Sequence, residues 1–304
     1  MKEPVKNIPA SILARLRNRA DELNRPYSEA LQYYAMERFL YRLSKTKFAN
    51  KFILKGGLLF YAWYLPLRRP TRDIDFRGYV SGDRLTLMKI VNEVIGVPAP
   101  EDGLVFDPQS VVVSETQLAA DYQGIRVKLT ALLSRTRIPI QIDIGFSDEL
   151  TSKAETIEYP IILSDLRPVR MKGYPKESVV AEKFHAMIQF GDVNSRLKDF
   201  YDLWLMSLAF EFNGASLQKA LKTTFKNRGK DLPVERPISL TVEFASRNQV
   251  RWSNFLKKMS LEKTDSNDLE SVVEQIWKFI CVPLEASLQK TPCAQNWTPK
   301  SGWK

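Results

Sequence analysis

Apolar residues recur at helical spacing twice near the start of the chain: Ile12, Leu13 and Leu16 within residues 9–24, then Leu31, Tyr34, Ala35, Phe39 and Leu40 within residues 27–43. Ser28 and Glu29 open the second pattern in the way helices commonly start. Two leading helices are predicted. Next, "KFILKGG" is a short apolar run ended by glycines, "LLFYAWYL" is apolar and long enough for a buried helix, and "DIDFRGYV" is strand-like. Helical spacing returns in "DRLTLMKIVNEVIG", closed by Gly96. "SVVVSE", "GIRVKLTALL" and "IPIQIDIGF" are rich in β-branched residues and alternate in part, as strands of a mixed sheet would. "TIEYPIIL" reads either as one further strand or as the connection out of the sheet.

From Pro175 onward the pattern is helical, in five stretches from "KESVVAEKFHAMIQFG" to "DLESVVEQIWKFICVPLEASL". The expected fold class is therefore α/β: a mixed β-sheet flanked by helices over residues 1–165, including the two leading helices, then a helical domain over 166–304. The join is placed near "LSDLRPVRMKGYPKES", and the tail "KTPCAQNWTPKSGWK" is expected to fray or lie on the surface.

Composition narrows the class. With 44% hydrophobic and 26% charged residues, 304 residues can bury one large core or two smaller ones in a soluble globular protein. The opening stretch is charged throughout and lacks the apolar core of a secretory signal, and no apolar run approaches the roughly 18 residues a membrane span needs. The expectation is a cytoplasmic protein with no membrane partner. Cys281 and Cys293, with His185 as the single histidine, suit neither a disulfide framework nor a zinc site. A net charge of +10 permits a polyanionic partner without identifying one. The basic runs "RLRNR", "LRRPTR", "LSRTR" and "KTTFKNRGK" could hold nucleic-acid phosphates, or could be solvated faces.

Candidate chemistry lies in the acids and glycines. Residues i and i+2 of a strand share a face, so Asp73 and Asp75 present two carboxylates side by side. Asp143 lies between Ile142 and Ile144 in another apolar strand, where a surface role does not account for it. Three convergent carboxylates suit a hard divalent cation such as Mg2+ bridging to phosphate. Taken alone, the Asp-x-Asp pair also fits a strand edge ion-paired with Arg72 and Arg77. Gly56 and Gly57 permit a tight turn and close approach to an anionic ligand, or mark a plain strand-to-helix turn. Neither the GxxxxGK[ST] loop nor the GxGxxG fingerprint occurs.

In combination, "FILKGGLLF", "TRDIDF" and "SVVAEKFHAMIQFGDVNSRLKDFYDLWLM" resemble the AbiEii/AbiGii nucleotidyltransferase toxins of the DNA polymerase beta-like superfamily, over about residues 50–210. The resemblance implies a nucleotidyltransferase domain followed by a helical domain, NTP and Mg2+ as substrate and cofactor, and a tRNA or other RNA 3′ end as acceptor. It also implies a block of translation and a possible cognate antitoxin protein. On the matching positions it assigns Asp73, Asp75 and Asp143 to metal and catalysis, Lys55, Gly56 and Gly57 to the nucleotide, and Lys183 to the triphosphate charge. Asp199 would orient Lys183 or the nucleotide, while Asp202 would anchor its helix through Arg196 or Lys198; these two roles could be exchanged. Leu58 departs from the family pattern, where many members have Thr or Ser. Thr71 is a regulatory candidate, because a phosphate there would add roughly two negative charges beside the metal site. His185, two residues from Lys183, is expected to be packed rather than catalytic. Two alternatives stay open: the same fold acting on a protein or small molecule, and a non-catalytic binding protein.

Overall fold

The structure, a computed structural model, describes all residues except 1–6, 64, 66–68, 120–121, 147–152 and 263–266. It divides into two compact units, one reaching Tyr174 and the other formed by Pro175–Lys304 together with Leu65–Arg69 and residues 148–153.

The first unit opens with α1 (Ile8–Glu22) and α2 (Tyr27–Ser44). Asn7 caps α1 by accepting from the Ala10 N–H, and α1 buries Ile12, Leu16 and Ala20 along one stripe. Strand β1 (Phe52–Lys55) leads through Gly56 into α3 (Gly57–Ala62), followed by β2 (Asp73–Gly78) and α4 (Arg84–Ile95). The helix expected over "LLFYAWYL" is thus shorter, ending in a cap at Trp63. Asp83 caps α4 by accepting from the Thr86 N–H. The sheet continues with β3 (Leu104–Ala119), β4 (Tyr122–Leu133), β5 (Thr136–Gly145), β6 (Glu155–Tyr159) and β7 (Val169–Gly173).

The seven strands are ordered β3-β4-β5-β2-β1-β7-β6. The β2–β5 and β1–β7 pairs are parallel and the others antiparallel. The β3–β4 register shifts between Asp107 and Val112, around Pro108, which has no N–H to donate to a ladder. "TIEYPIIL" resolves into the edge strand β6 and a connection. The stretch "VRMKG", expected within the inter-domain join, instead forms β7 beside β1. The first unit therefore runs past residue 165 to Tyr174, because β7 supplies the neighbour that β1 needs on its outer side.

One face of the sheet carries the core. Phe52, Ile142 and Ile144 meet Phe39 and Leu43 of α2 and Leu87, Ile90, Val91 and Val94 of α4. Ile74 and Phe76 are fully buried on the same face, with Phe76 edge-on to Phe52. A buried ionic cluster ties α2 to the start of β3: Arg42 donates to both Asp102 carboxylate oxygens at 2.7 and 3.1 Å, and the Leu104 N–H and Asp102 Oδ1 are 3.0 Å apart.

The second unit comprises α5 (Lys176–Phe190), α6 (Leu197–Ala209), β8 (Phe212–Asn213), α7 (Gly214–Asn227), α8 (Val242–Lys258), α9 (Leu269–Leu288), β9 (Asn296–Thr298) and β10 (Gly302–Trp303). The C-terminal tail does not fray: β8, β9 and β10 form a small sheet, and Trp297 is buried 5.1 Å from Phe279. Its indole N–H donates to the Ser207 carbonyl at 2.8 Å, so an amphipathic ring finds both an apolar seat and a hydrogen-bond partner. Cys281 and Cys293 are free thiols.

Removing one partner of a buried ion pair leaves an uncompensated charge. Asp102→Ala should destabilise the protein by about 3–5 kcal/mol, measured by urea unfolding. The double change Arg42→Met with Asp102→Leu should recover most of that loss; equal destabilisation by both variants would contradict the account.

Candidate active site

The sheet face opposite the apolar core holds the acids. Asp73 and Asp75 alternate with the buried Ile74 and Phe76, and the parallel register sets Asp75 beside Asp143. One carboxylate oxygen from each of Asp73, Asp75 and Asp143 lies within 4.8 Å of the others. Asp143 is buried, whereas Asp73 and Asp75 are half-buried. Hard oxygen donors at this spacing fit a divalent cation of the Mg2+ type, which takes few protein carboxylates and fills its remaining positions from water or phosphate.

The glycine turn presses against this cluster. Gly56 has φ +69°, and a Cβ at that position would lie 1.8 Å from Asp75 Oδ2. A Cβ on Gly57 would lie 2.7 Å from Thr71 Oγ1. Each glycine is thus required by close approach, and Gly56 by its backbone angle as well. Thr71 is buried, and its hydroxyl donates to Asp73 Oδ1 at 2.8 Å. Its own N–H is held 3.1 Å from the Tyr33 hydroxyl, which ties the approach to β2 to helix α2. Lys55 stands opposite Asp75 in the antiparallel register, with its ammonium 5.7 Å from the Tyr174 ring centre. Leu58, next to the glycines, is fully buried.

The pattern of the chain did not single out Arg126. It is the register neighbour of Asp143 on β4 and donates from Nε and Nη2 to the two Asp143 oxygens at 2.8 and 2.9 Å. Gln141 adds a donor to Asp143 at 3.2 Å. The hydrogen bond to Asp143 raises the Arg126 pKa above its usual value, outweighing partial burial. A basic residue in an alternating strand was the available signal, but its partner depends on register.

Lys183, Asp199 and Asp202 come together within the second unit. The Lys183 ammonium donates to Asp199 at 2.8 Å and to Asp202 at 2.7 Å, from a side chain only 12% exposed. Arg196 bonds Asp199, not Asp202, while Asp202 receives both guanidinium bonds of Arg69 at 3.1 and 3.0 Å. The sequence expectation of Arg196 or Lys198 as the Asp202 anchor is therefore corrected to Arg69, which is remote in sequence. Burial alone would raise the Asp199 pKa, but the charges of Lys183 and Arg196 outweigh it and bring it down to about 2. Burial would lower the Lys183 pKa, yet the Asp199 and Asp202 charges raise it, so the ammonium stays protonated. His185 is buried edge-on to Phe225, with Nδ1 3.4 Å from Arg228 Nη1.

The model of the family described as nucleotidyl transferase AbiEii toxin, type IV toxin–antitoxin system, matches residues 38–278. The chain belongs to the AbiEii family. Two solved structures from Helicobacter pylori are similar to this AbiEii protein. One, assigned as a nucleotidyltransferase, has TM-score 0.45 and 14% identity, covering 85% of this chain and 96% of its own. The other, JHP933, has TM-score 0.46 and 14% identity, covering 86% and 94%. No match was found among curated proteins. No helix among the described residues of this AbiEii chain is long and apolar enough to cross a membrane.

Arg126 places a positive charge where a cation would be held. Arg126→Gln should lower the melting temperature of the metal-free protein and tighten Mn2+ binding by about tenfold, the order expected for removing a unit charge about 5 Å from a divalent cation at a solvent-screened site with a water-like dielectric. Electron paramagnetic titration of free Mn2+ would measure it, and weaker Mn2+ binding would show instead that Arg126 positions Asp143 for the metal.

A carboxylate held below its ordinary value of 3.8 contributes stability that is complete above that value and lost as pH falls through about 2. Asp199→Asn should therefore flatten the acid limb of thermal stability between about pH 4 and pH 2. An unchanged acid limb would contradict the assignment of that shift to Asp199.

Proposed function

We propose that this AbiEii protein transfers a nucleoside monophosphate from a nucleoside triphosphate to the 3′ end of an RNA, with tRNA as the acceptor, and so blocks translation. The observation that carries the proposal is the meeting of Asp73, Asp75 and Asp143 beside the Gly56-Gly57 turn. Family membership supports nucleotidyl transfer, and the net charge of +10 supports a polyanionic acceptor.

In the proposed reaction the acceptor 3′-hydroxyl oxygen bonds to the α-phosphorus, the bond from that phosphorus to its bridging oxygen breaks, and pyrophosphate leaves. Asp73, Asp75 and Asp143 would hold Mg2+, which when bound supplies charge neutralisation for the triphosphate and the developing oxyanions. Asp143 takes the hydroxyl proton, and for that it must free an oxygen from Arg126. Gly56 and Gly57 give the triphosphate a turn without side chains, with Lys55 as a nearby charge. Lys183 would serve as a positive charge for the triphosphate, and Asp199 keeps that ammonium protonated and in place. A phosphate on Thr71 would replace the hydrogen bond to Asp73 by charge repulsion and switch the site off. NTP and tRNA pools place this work in the cytoplasm, under restraint by a cognate antitoxin.

Purified protein incubated with Mg2+, bulk tRNA and each of four α-labelled NTPs should put label into RNA. Asp73→Asn should reduce transfer by at least about a hundredfold, consistent with the several kcal/mol a metal-held charge contributes. Label entering protein or a small molecule instead would move the reading to a same-fold transferase with another acceptor. Full transfer by Asp73→Asn would remove the chemistry from this site.

A further inference from the structure

Beyond Asp73 and Asp75, the same face of β2 carries Arg77, again two residues on. It is 5% exposed, yet its Nε and Nη1 are buried without a hydrogen-bond partner among the described residues. Its register neighbours, Ile53 on β1 and Gly145 on β5, offer no side-chain acceptor. The guanidinium lies over the Tyr79 ring, 4.6 Å from its centre, which stabilises the charge but uses none of its N–H donors. Tyr79 is 43% exposed.

A buried guanidinium with unmatched donors is costly, since such groups are ordinarily paired. The planar fork of Arg fits the oxygens of a phosphate, and two residues of strand separate it from Asp75 by about 6–7 Å of rise. Resting on the nucleotidyltransferase reading, we propose that Arg77 is a phosphate-binding residue of this site, with Tyr79 as the platform holding its guanidinium flat. The phosphate belongs either to the bound triphosphate or to the backbone of the acceptor strand.

The test uses the full chain, Arg77→Met and Arg77→Lys, with three measurements. These are thermal stability without ligand, binding of α,β-methylene NTP analogues in Ca2+, and binding of an RNA stem-loop with a single-stranded 3′ end over a range of salt. Because the donors await a ligand, Arg77→Met should melt at or above the wild-type temperature, and a variant that unfolds or melts lower would overturn the proposal. Arg77→Met should also weaken one ligand by about tenfold or more, with Arg77→Lys retaining part of the affinity. Loss confined to the NTP analogue assigns the triphosphate. Loss confined to RNA, with a salt slope reduced by about one, assigns the acceptor backbone. Unchanged affinity for both, in a wild type that binds both, would overturn this proposal alone. Failure of the wild type to bind any NTP analogue would overturn the parent reading with it.

Discussion

The site depends on how closely a backbone can approach a carboxylate. At Gly56 the chain turns with φ +69° against Asp75 Oδ2, where any Cβ would come within 1.8 Å. At Gly57 it packs against Thr71, whose hydroxyl is bonded to Asp73. The two glycines therefore answer to the two aspartates separately: one sets the space for Asp75 directly, and the other sets the seat of the residue that orients Asp73. "KGG" and "TRDIDF" act as one structural unit, with β1 and β2 antiparallel neighbours whose register places Lys55 opposite Asp75.

This coupling explains why much of the site was legible in the chain. Asp73 and Asp75 needed only the two-residue period of a strand, and Asp143 was conspicuous because its neighbours are isoleucines. Period cannot supply register. Nothing local to "GIRVKLTALL" indicates that Arg126 will meet Asp143, and nothing near Asp202 points to Arg69. The strand "VRMKG" was hidden for a related reason: Arg170 is exposed and Lys172 half-buried, so only its alternate positions are apolar and the segment reads as a linker. The tail was misread because its two tryptophans are spaced by turn residues, and their partners, Ser207 and Phe279, come from distant helices.

The β2 face and the Lys183 cluster handle buried charge differently. In the second, the carboxylates of Asp199 and Asp202 are matched by Lys183, Arg196 and Arg69, and the shifts of Asp199 and Lys183 both favour the charged forms. Such a cluster is closed on itself: each partner holds the others ionised, and it fixes α5 against α6. Its balance makes it a rigid holder for Lys183.

The β2 face of the first unit is arranged otherwise. Three carboxylates converge, the guanidinium of Arg126 is committed to Asp143, and farther along the same strand Arg77 keeps Nε and Nη1 buried without an acceptor among the described residues. A buried guanidinium with unmatched donors beside convergent carboxylates is unfavourable for folding. The guanidinium of Arg77 lies over the Tyr79 ring, 4.6 Å from its centre. A ligand carrying a cation at one end and phosphate oxygens at the other satisfies both groups at once. A metal-bound nucleoside triphosphate has that distribution of charge, and so does a metal ion sharing the site with an RNA backbone. The unmatched donors of Arg77 thus favour the same class of ligand that the acidic cluster favours by its geometry.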